Sequence, residues 1–247
     1  MRTSNPALIA DPFLKERRGY ISEPMTVNGT IQKTLILLLC VIATSAFTWT
    51  TFLKSGNPEA VVPWMWVGIF GGLIAAMVTA FKKEWAPVTA PIYALLEGLF
   101  IGGISSVFEA NYPGIVIQAA GCTFGTLAAM LVVYRSGWVE VNDRFRLGIM
   151  AATGGIAIAY FITILLGYFG VQVPFIYGNG MFGIGFSLFV VTIAALNLVL
   201  DFDFIERGAK AGVPKYMEWY GAFALMVTLV WLYIEILRLL SKVRDRR

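Results

Sequence analysis

Residues 181–204 read MFGIGFSLFVVTIAALNLVLDFDF, an unbroken apolar and small-residue run that ends on two acids, Asp201 and Asp203. A hydrocarbon core about 30 Å thick is crossed by about 20 residues of helix. The run therefore predicts a membrane span. Six more stretches meet or approach that length: Thr34 to Leu53, Val61 to Phe81, Val88 to Phe108, Gly114 to Tyr134, Leu147 to Phe169 and Tyr216 to Leu240. Between them lie short connections with turn punctuation, such as Ser55-Gly56-Asn57-Pro58 and Gly178-Asn179-Gly180. The expected fold is an all-α, polytopic membrane protein of seven transmembrane helices. It divides into a cytoplasmic polar tail over 1–33, a transmembrane domain over 34–240 and a short basic tail over 241–247.

Composition agrees with lipid as the solvent. Of 247 residues 58% are hydrophobic and 14% charged, against about a quarter charged in soluble domains. The net charge of +4 does not point to nucleic acid, because the basic residues lie between the apolar runs and at the ends, where topology and anionic lipid account for them. Cys40 and Cys122 fall inside apolar runs and read as small buried hydrophobes. The polar N-terminal segment lacks the apolar core and cleavage site of a signal peptide, so the first span is expected to remain in the mature protein.

Lys15, Arg17 and Arg18, then Lys82 and Lys83, then Arg135, Arg144 and Arg146, then Arg207, Lys210 and Lys215 recur on one side of the alternating loops. That side is expected to be the cytoplasm, with the N-terminus in it. The tail Lys242, Arg244, Arg246 and Arg247 would then fall outside, against the rule. Either the last segment crosses because earlier spans fix its direction, or it is re-entrant. Crossing is favoured, because Tyr216 to Leu240 has no central Gly or Pro break. Glycines 98, 102, 103, 121, 125, 154 and 155 read as helix-packing positions, and Trp64, Trp66, Trp85, Trp138 and Trp219 as interfacial anchors.

Ionisable groups inside a membrane cost roughly 2.5 kcal/mol or more and are functional candidates by default. Glu97 is mid-span, Asp201 and Asp203 close the sixth span, and Glu218 and Glu235 lie near the two ends of the seventh. Ser187, Val190, Ala194, Asn197 and Asp201 follow helical spacing along one small or polar face. Asp203 lies about 200° round from Asp201, so Asp201 is the expected inward group, and Asp203 is expected to pair with Arg207 or to be exposed at the headgroups. Glu218 could approach Asp201 across the turn at Gly208, Gly212 and Pro214, giving a pH-sensitive latch or a cation-coordinating mouth. The alternative is that these acids merely cap helices or pair with Lys82, Lys83, Arg207 or Lys215. Glu235, three residues before Arg238, reads as an ion pair. Glu97 has no opposite charge nearby in sequence, and is expected to be neutral or paired inside the bundle, as a proton or cation stop.

Enzyme classes drop out. There is no histidine, which removes His-based serine hydrolysis and HExxH metalloprotease chemistry. No lysine lies within the last span to form a retinal Schiff base, and no Walker or Rossmann motif is evident. The chain is expected not to be an enzyme and to need no cofactor.

Three segments carry a family resemblance: Leu198-Val199-Leu200-Asp201-Phe202-Asp203-Phe204-Ile205-Glu206, Lys215-Tyr216-Met217-Glu218-Trp219-Tyr220-Gly221-Ala222 and Leu232-Tyr233-Ile234-Glu235-Ile236-Leu237-Arg238. The pattern resembles the Bax inhibitor 1 (YccA, transmembrane Bax inhibitor motif) family. The resemblance implies six helices around a central seventh, in a bacterial cytoplasmic membrane or a eukaryotic internal one. It also implies a pH-dependent calcium leak latched by a carboxylate ending span six, matched by Asp201, and one in span seven, matched by Glu235. A helix from Glu218 to Glu235 rises roughly 25 Å, so Glu218 stays the rival partner. Asp201, Glu235 and Glu218 are thus the expected ligands if calcium binds, with lipid, calcium and protons as partners. Some family members instead restrain a membrane AAA protease, a role needing no ion site.

Overall fold

A computed structural model describes residues 23–170, 176 and 178–246. Seven long helices follow in order: α1 Val27–Ser55, α2 Val62–Phe81, α3 Ala86–Asn111, α4 Ile115–Arg135, α5 Asp143–Tyr168, α6 Met181–Lys210 and α7 Met217–Asp245. Each is long and apolar enough to cross a membrane, and no strand occurs among the described residues. The protein is an integral, multi-pass helical membrane protein.

Local chemistry sets the ends. Thr26 caps α1, its Oγ1 accepting the Gly29 N–H at 2.9 Å, and Asn142 caps α5 by accepting the Phe145 N–H at 2.8 Å. Gly56 closes α1 in the left-handed conformation, φ 62°. The cap at Thr26 starts α1 before Thr34, so the N-terminal tail is shorter than 1–33. Its residues 1–22, with Lys15, Arg17 and Arg18, lie outside the described residues. The far end also differs, since α7 continues to Asp245 and takes up most of the 241–247 tail.

The last helix is central. It is the most buried of the seven and packs against α1, α3, α4 and α6. Its 29 residues run without interruption, a rise of about 43 Å, which fits crossing rather than re-entry. The basic C-terminal end is absorbed by the fold. Lys242, 3% exposed, donates to Ile176 O, to Gly183 O and to Ser187 Oγ. Arg244 donates to Pro113 O and Gln118 Oε1. These bonds anchor the end that charge counting alone finds anomalous.

Helix α1 lies on α3 over glycine. A Cβ at Gly98 would overlap Val41 and Thr44, and one at Gly102 would overlap Ser45 and Thr48. Ser45 Oγ donates to Gly98 O at 2.9 Å across this contact. Gly103 receives Met65 of α2. Gly121, Gly125, Gly154 and Gly155 meet nothing within 4 Å, so the packing role expected of them is not found. Cys122 is likewise exposed rather than buried, and Cys40 is half-buried.

The ends of α1 and α7 are joined at the near end of the bundle, where α6 also finishes. Glu218, 1% exposed, accepts from Thr26 N at 3.0 Å and Thr26 Oγ1 at 2.9 Å, and pairs with Lys33 at 3.2 Å. Met25 N donates to Val213 O at 2.8 Å, beside the bridge between Pro24 and Pro214. Lys215 pairs with Glu23, holding the Glu23 carboxyl below its ordinary range and the Lys215 amine above its own. With Glu23 depressed, the pair contributes above the ordinary carboxylate pKa and is lost as pH falls through the folded value. Both groups are exposed, so that contribution is small.

Candidate functional site

Polar groups gather where α5, α6 and α7 face one another, at three depths. At the near end Asp203 of α6, 9% exposed, pairs with Arg207 at 2.7 Å and with Arg146 of α5 at 3.1 Å. The Arg207 partner follows from i, i+4 spacing. Arg146 lies on another helix and was not legible.

At mid-depth Asn197 Nδ2 donates to Thr153 Oγ1 of α5 at 2.9 Å and to Ile193 O at 2.8 Å. One helical turn along, Asp201 is half-buried as a residue, but its Oδ2 is fully buried and has no hydrogen-bond partner among the described residues. The Thr228 hydroxyl of α7 is within hydrogen-bonding reach of the same carboxyl. Asp201 therefore faces the central helix while Asp203 faces α5, as their angular separation requires. Helix α6 runs on to Lys210, so Asp201 does not close the helix.

Toward the far end Glu235 of α7 is 2% exposed and is held from two sides. Tyr160 OH of α5 donates to its carboxylate, 2.9 and 3.0 Å from the two oxygens. Arg238 Nη1 donates to Glu235 Oε1 at 2.9 Å and to Tyr160 OH at 2.7 Å, with its guanidinium 5.1 Å from the Tyr160 ring centroid. The Glu235 pair with Arg238 is as its spacing predicts, but deeply buried. Between this cluster and Thr153 lies a cavity of about 220 Å³ lined by Thr153, Ile156, Ala157, Tyr160 and Trp231. It exists because α5 packs chiefly on α6 and stands off α7.

Asp201 is paired with neither rival. Thr228 is about 15 Å along α7 from Glu218 and about 10 Å from Glu235; Glu218 belongs to the clasp with Lys33, and Glu235 to Tyr160 and Arg238. The expected calcium set of Asp201, Glu235 and Glu218 is thus spread over the length of α7, and no group of three or more His, Cys, Asp or Glu able to hold a metal occurs among the described residues. Glu97 lies elsewhere, on α3 opposite Gly72 of α2. A larger apolar cleft of about 320 Å³ separates α1, α3, α4 and α7. Ser105 Oγ and Tyr233 OH, 2.7 Å apart, are among its lining groups.

The arrangement can do one kind of chemistry. A column of oxygen-bearing side chains runs beside a cavity and is crossed at each end by a buried carboxylate held by arginine. Tyr160, Thr153, Arg146 and Thr228 were not foreseen, because polar residues on separate spans have no sequence signal that pairs them. The model of the Bax inhibitor 1 like family matches residues 5–245, nearly the whole chain. The chain belongs to the Bax inhibitor 1 like family. Membership agrees with the resemblance carried by residues 198–238 and with a seventh helix at the centre of the bundle. None of the curated proteins compared matches the chain.

Proposed function

We propose that this Bax inhibitor 1 like protein is a pH-sensitive cation leak, with calcium as the passing ion, following the seam between α5, α6 and α7. The observation that carries this reading is Asp201, whose buried Oδ2 has no partner among the described residues, one face round from the Asp203 cluster and about 10 Å short of Glu235. A carboxyl in a poorly solvated site, with one oxygen unpartnered and only the Thr228 hydroxyl in reach, is costly to ionise. Asp203 with Arg146 and Arg207, and Glu235 with Tyr160 and Arg238, are read as near and far gates of a closed state. Protons acting on the column's carboxyls would change the balance that holds those gates. Carboxylate and amide oxygens are the ligands hard cations prefer, and the passing ion is read as a transient occupant of the column. The N-terminus is assigned to the cytoplasm of a bacterial cell, and no catalysis is assigned.

The test is calcium flux into vesicles carrying the purified protein, across a pH series. Wild-type flux should exceed that of empty vesicles and vary with pH. In Asp201→Asn the pH dependence should flatten, with a change of about tenfold at the most sensitive pH, the effect of ~1.4 kcal/mol on a barrier. Wild-type flux equal to that of empty vesicles at every pH would end this reading.

A role in restraining a membrane protease is favoured by the clasp, since residues 23–26 tie whatever binds the tail to the start of the central helix. The informative truncation removes residues 1–22, because a longer one would destroy the Thr26 cap on Glu218. The shortened chain should keep its melting profile and lose capture of a membrane AAA protease. Failure of the full chain to capture that protease would dismiss the role.

A further inference from the structure

Glu97 is a membrane acid used neither by the α5, α6 and α7 column nor by the clasp at Glu218. It takes part in no hydrogen bond or ion pair among the described residues, and is half-buried. Its neighbourhood is built from glycine. A Cβ on Gly68 of α2 would overlap Phe100 and the Leu96 carbonyl, one on Gly71 would touch the Leu96 side chain, and one on Gly72 would lie 3.0 Å from Glu97 Oε2. The carboxyl thus rests on bare backbone. Leu95 of α3, exposed on the outside of the bundle, lies about 200° round the helix from Glu97, so Glu97 is turned inward, at mid-span and only half-buried.

A second feature leads to it from the near end. Thr89, Tyr93 and Glu97 recur every fourth residue of α3 and share one side of the helix. Thr79 Oγ1 of α2 lies 2.7 Å from Thr89 Oγ1 across the seam, next to the turn carrying Lys82 and Lys83. Tyr93 is the one titratable group in electrostatic contact with Glu97, and no charged side chain of α1, α2 or α7 interacts with it. Thr89 to Glu97 is a rise of about 12 Å, from the end of the bundle to mid-membrane.

We propose that Glu97, seated on Gly72 and reached along Thr79, Thr89 and Tyr93, is a second proton-binding carboxyl inside the membrane, modifiable by a lipid-soluble carbodiimide. An ionised, unpartnered carboxylate within the membrane is disfavoured by several kcal/mol, so the resident form carries its proton. That proton is what a carbodiimide needs. It passes to one reagent nitrogen while the carboxyl oxygen bonds to the central carbon and one C=N π pair moves onto that nitrogen, giving an O-acylisourea. The other, imine nitrogen then attacks the acyl carbon, the bond between the acyl carbon and the bridging oxygen breaks, that oxygen stays on the reagent carbon as the urea carbonyl, and a stable N-acylurea remains. Nothing leaves, so the protein gains the whole reagent mass.

Purified full-length protein in lipid nanodiscs is treated with dicyclohexylcarbodiimide or with a water-soluble carbodiimide, then weighed and mapped by peptide mass spectrometry. The expected result is one dicyclohexylcarbodiimide adduct on Glu97, forming about tenfold more slowly for each pH unit above the site's own titration. The water-soluble reagent should leave Glu97 unmodified. Glu97→Gln should lose the adduct while Asp201→Asn keeps it, each with an unchanged elution profile. An unmodified Glu97, or equal labelling by both reagents, overturns the proposal. Labelling involves no flux, so its outcome and that of the leak reading are separate.

Discussion

Leucine at Gly98 or Gly102 is expected to abolish recovery of folded protein, whereas leucine at Gly121 or Gly125 should leave yield and melting temperature nearly unchanged. At the first pair the new Cβ alone would overlap the Val41 or Ser45 backbone, before the rest of the side chain is counted. Backbone cannot swing aside as a flexible side chain can. Overpacking costs roughly 1–3 kcal/mol where a core can adjust; here α1 would have to leave α3, together with the bond from Ser45 to Gly98 O. In lipid no hydrophobic force draws the helices back together, because association rests on close packing and interhelical bonds. Gly121 and Gly125 have the same spacing, but a Cβ at either meets nothing within 4 Å. Monodisperse yield and thermal melting in one detergent compare all four variants. Equal losses at both pairs would refute the assignment of α1 to the α3 glycines.

That contrast marks how far the sequence could be read. Apolar run length located all seven spans, because the thickness of a bilayer fixes how long such a run must be. Which glycines pack depends on the rotation of each helix, and two glycines four apart look alike whether they face a neighbour or lipid. The ends were less legible. Hydropathy starts α1 at Thr34 because Asn28 and Lys33 are polar, yet Thr26 and Glu218 hold an earlier start from across the bundle. Hydropathy ends α6 at Phe204, but its polar continuation carries the helix on to Lys210.

For the candidate site, i, i+3 and i, i+4 spacing gave the partners on the same helix, Arg238 for Glu235 and Arg207 for Asp203. Partners on other helices were hidden. Arg146, Thr153 and Tyr160 follow one another at sevens along α5, two turns apart and so on nearly one face. Each meets a polar group of α6 or α7. With Asn197 already singled out, that period was the one available signal that α5 contributes a polar face.

Removing Arg238 is expected to be the most damaging change at the column. In Arg238→Ala the Glu235 carboxylate, 2% exposed, would keep only the Tyr160 hydroxyl. Leaving one member of a buried ion pair uncompensated costs ~3–5 kcal/mol, or roughly 2–4 °C of melting temperature per kcal/mol for a chain of this size. The loss falls if Glu235 is neutralised as well, so Glu235→Gln with Arg238→Ala should melt above Arg238→Ala alone. In vesicles the far gate would be released, and Arg238→Ala should leak calcium faster than wild type across the pH range. Tyr160→Phe removes the second donor while sparing the Arg238 pair at 2.9 Å, and should show the smaller effect in both measurements. If Arg238→Ala melts like wild type and the double variant melts lower still, the cluster does not act as one unit, and the far gate loses its basis.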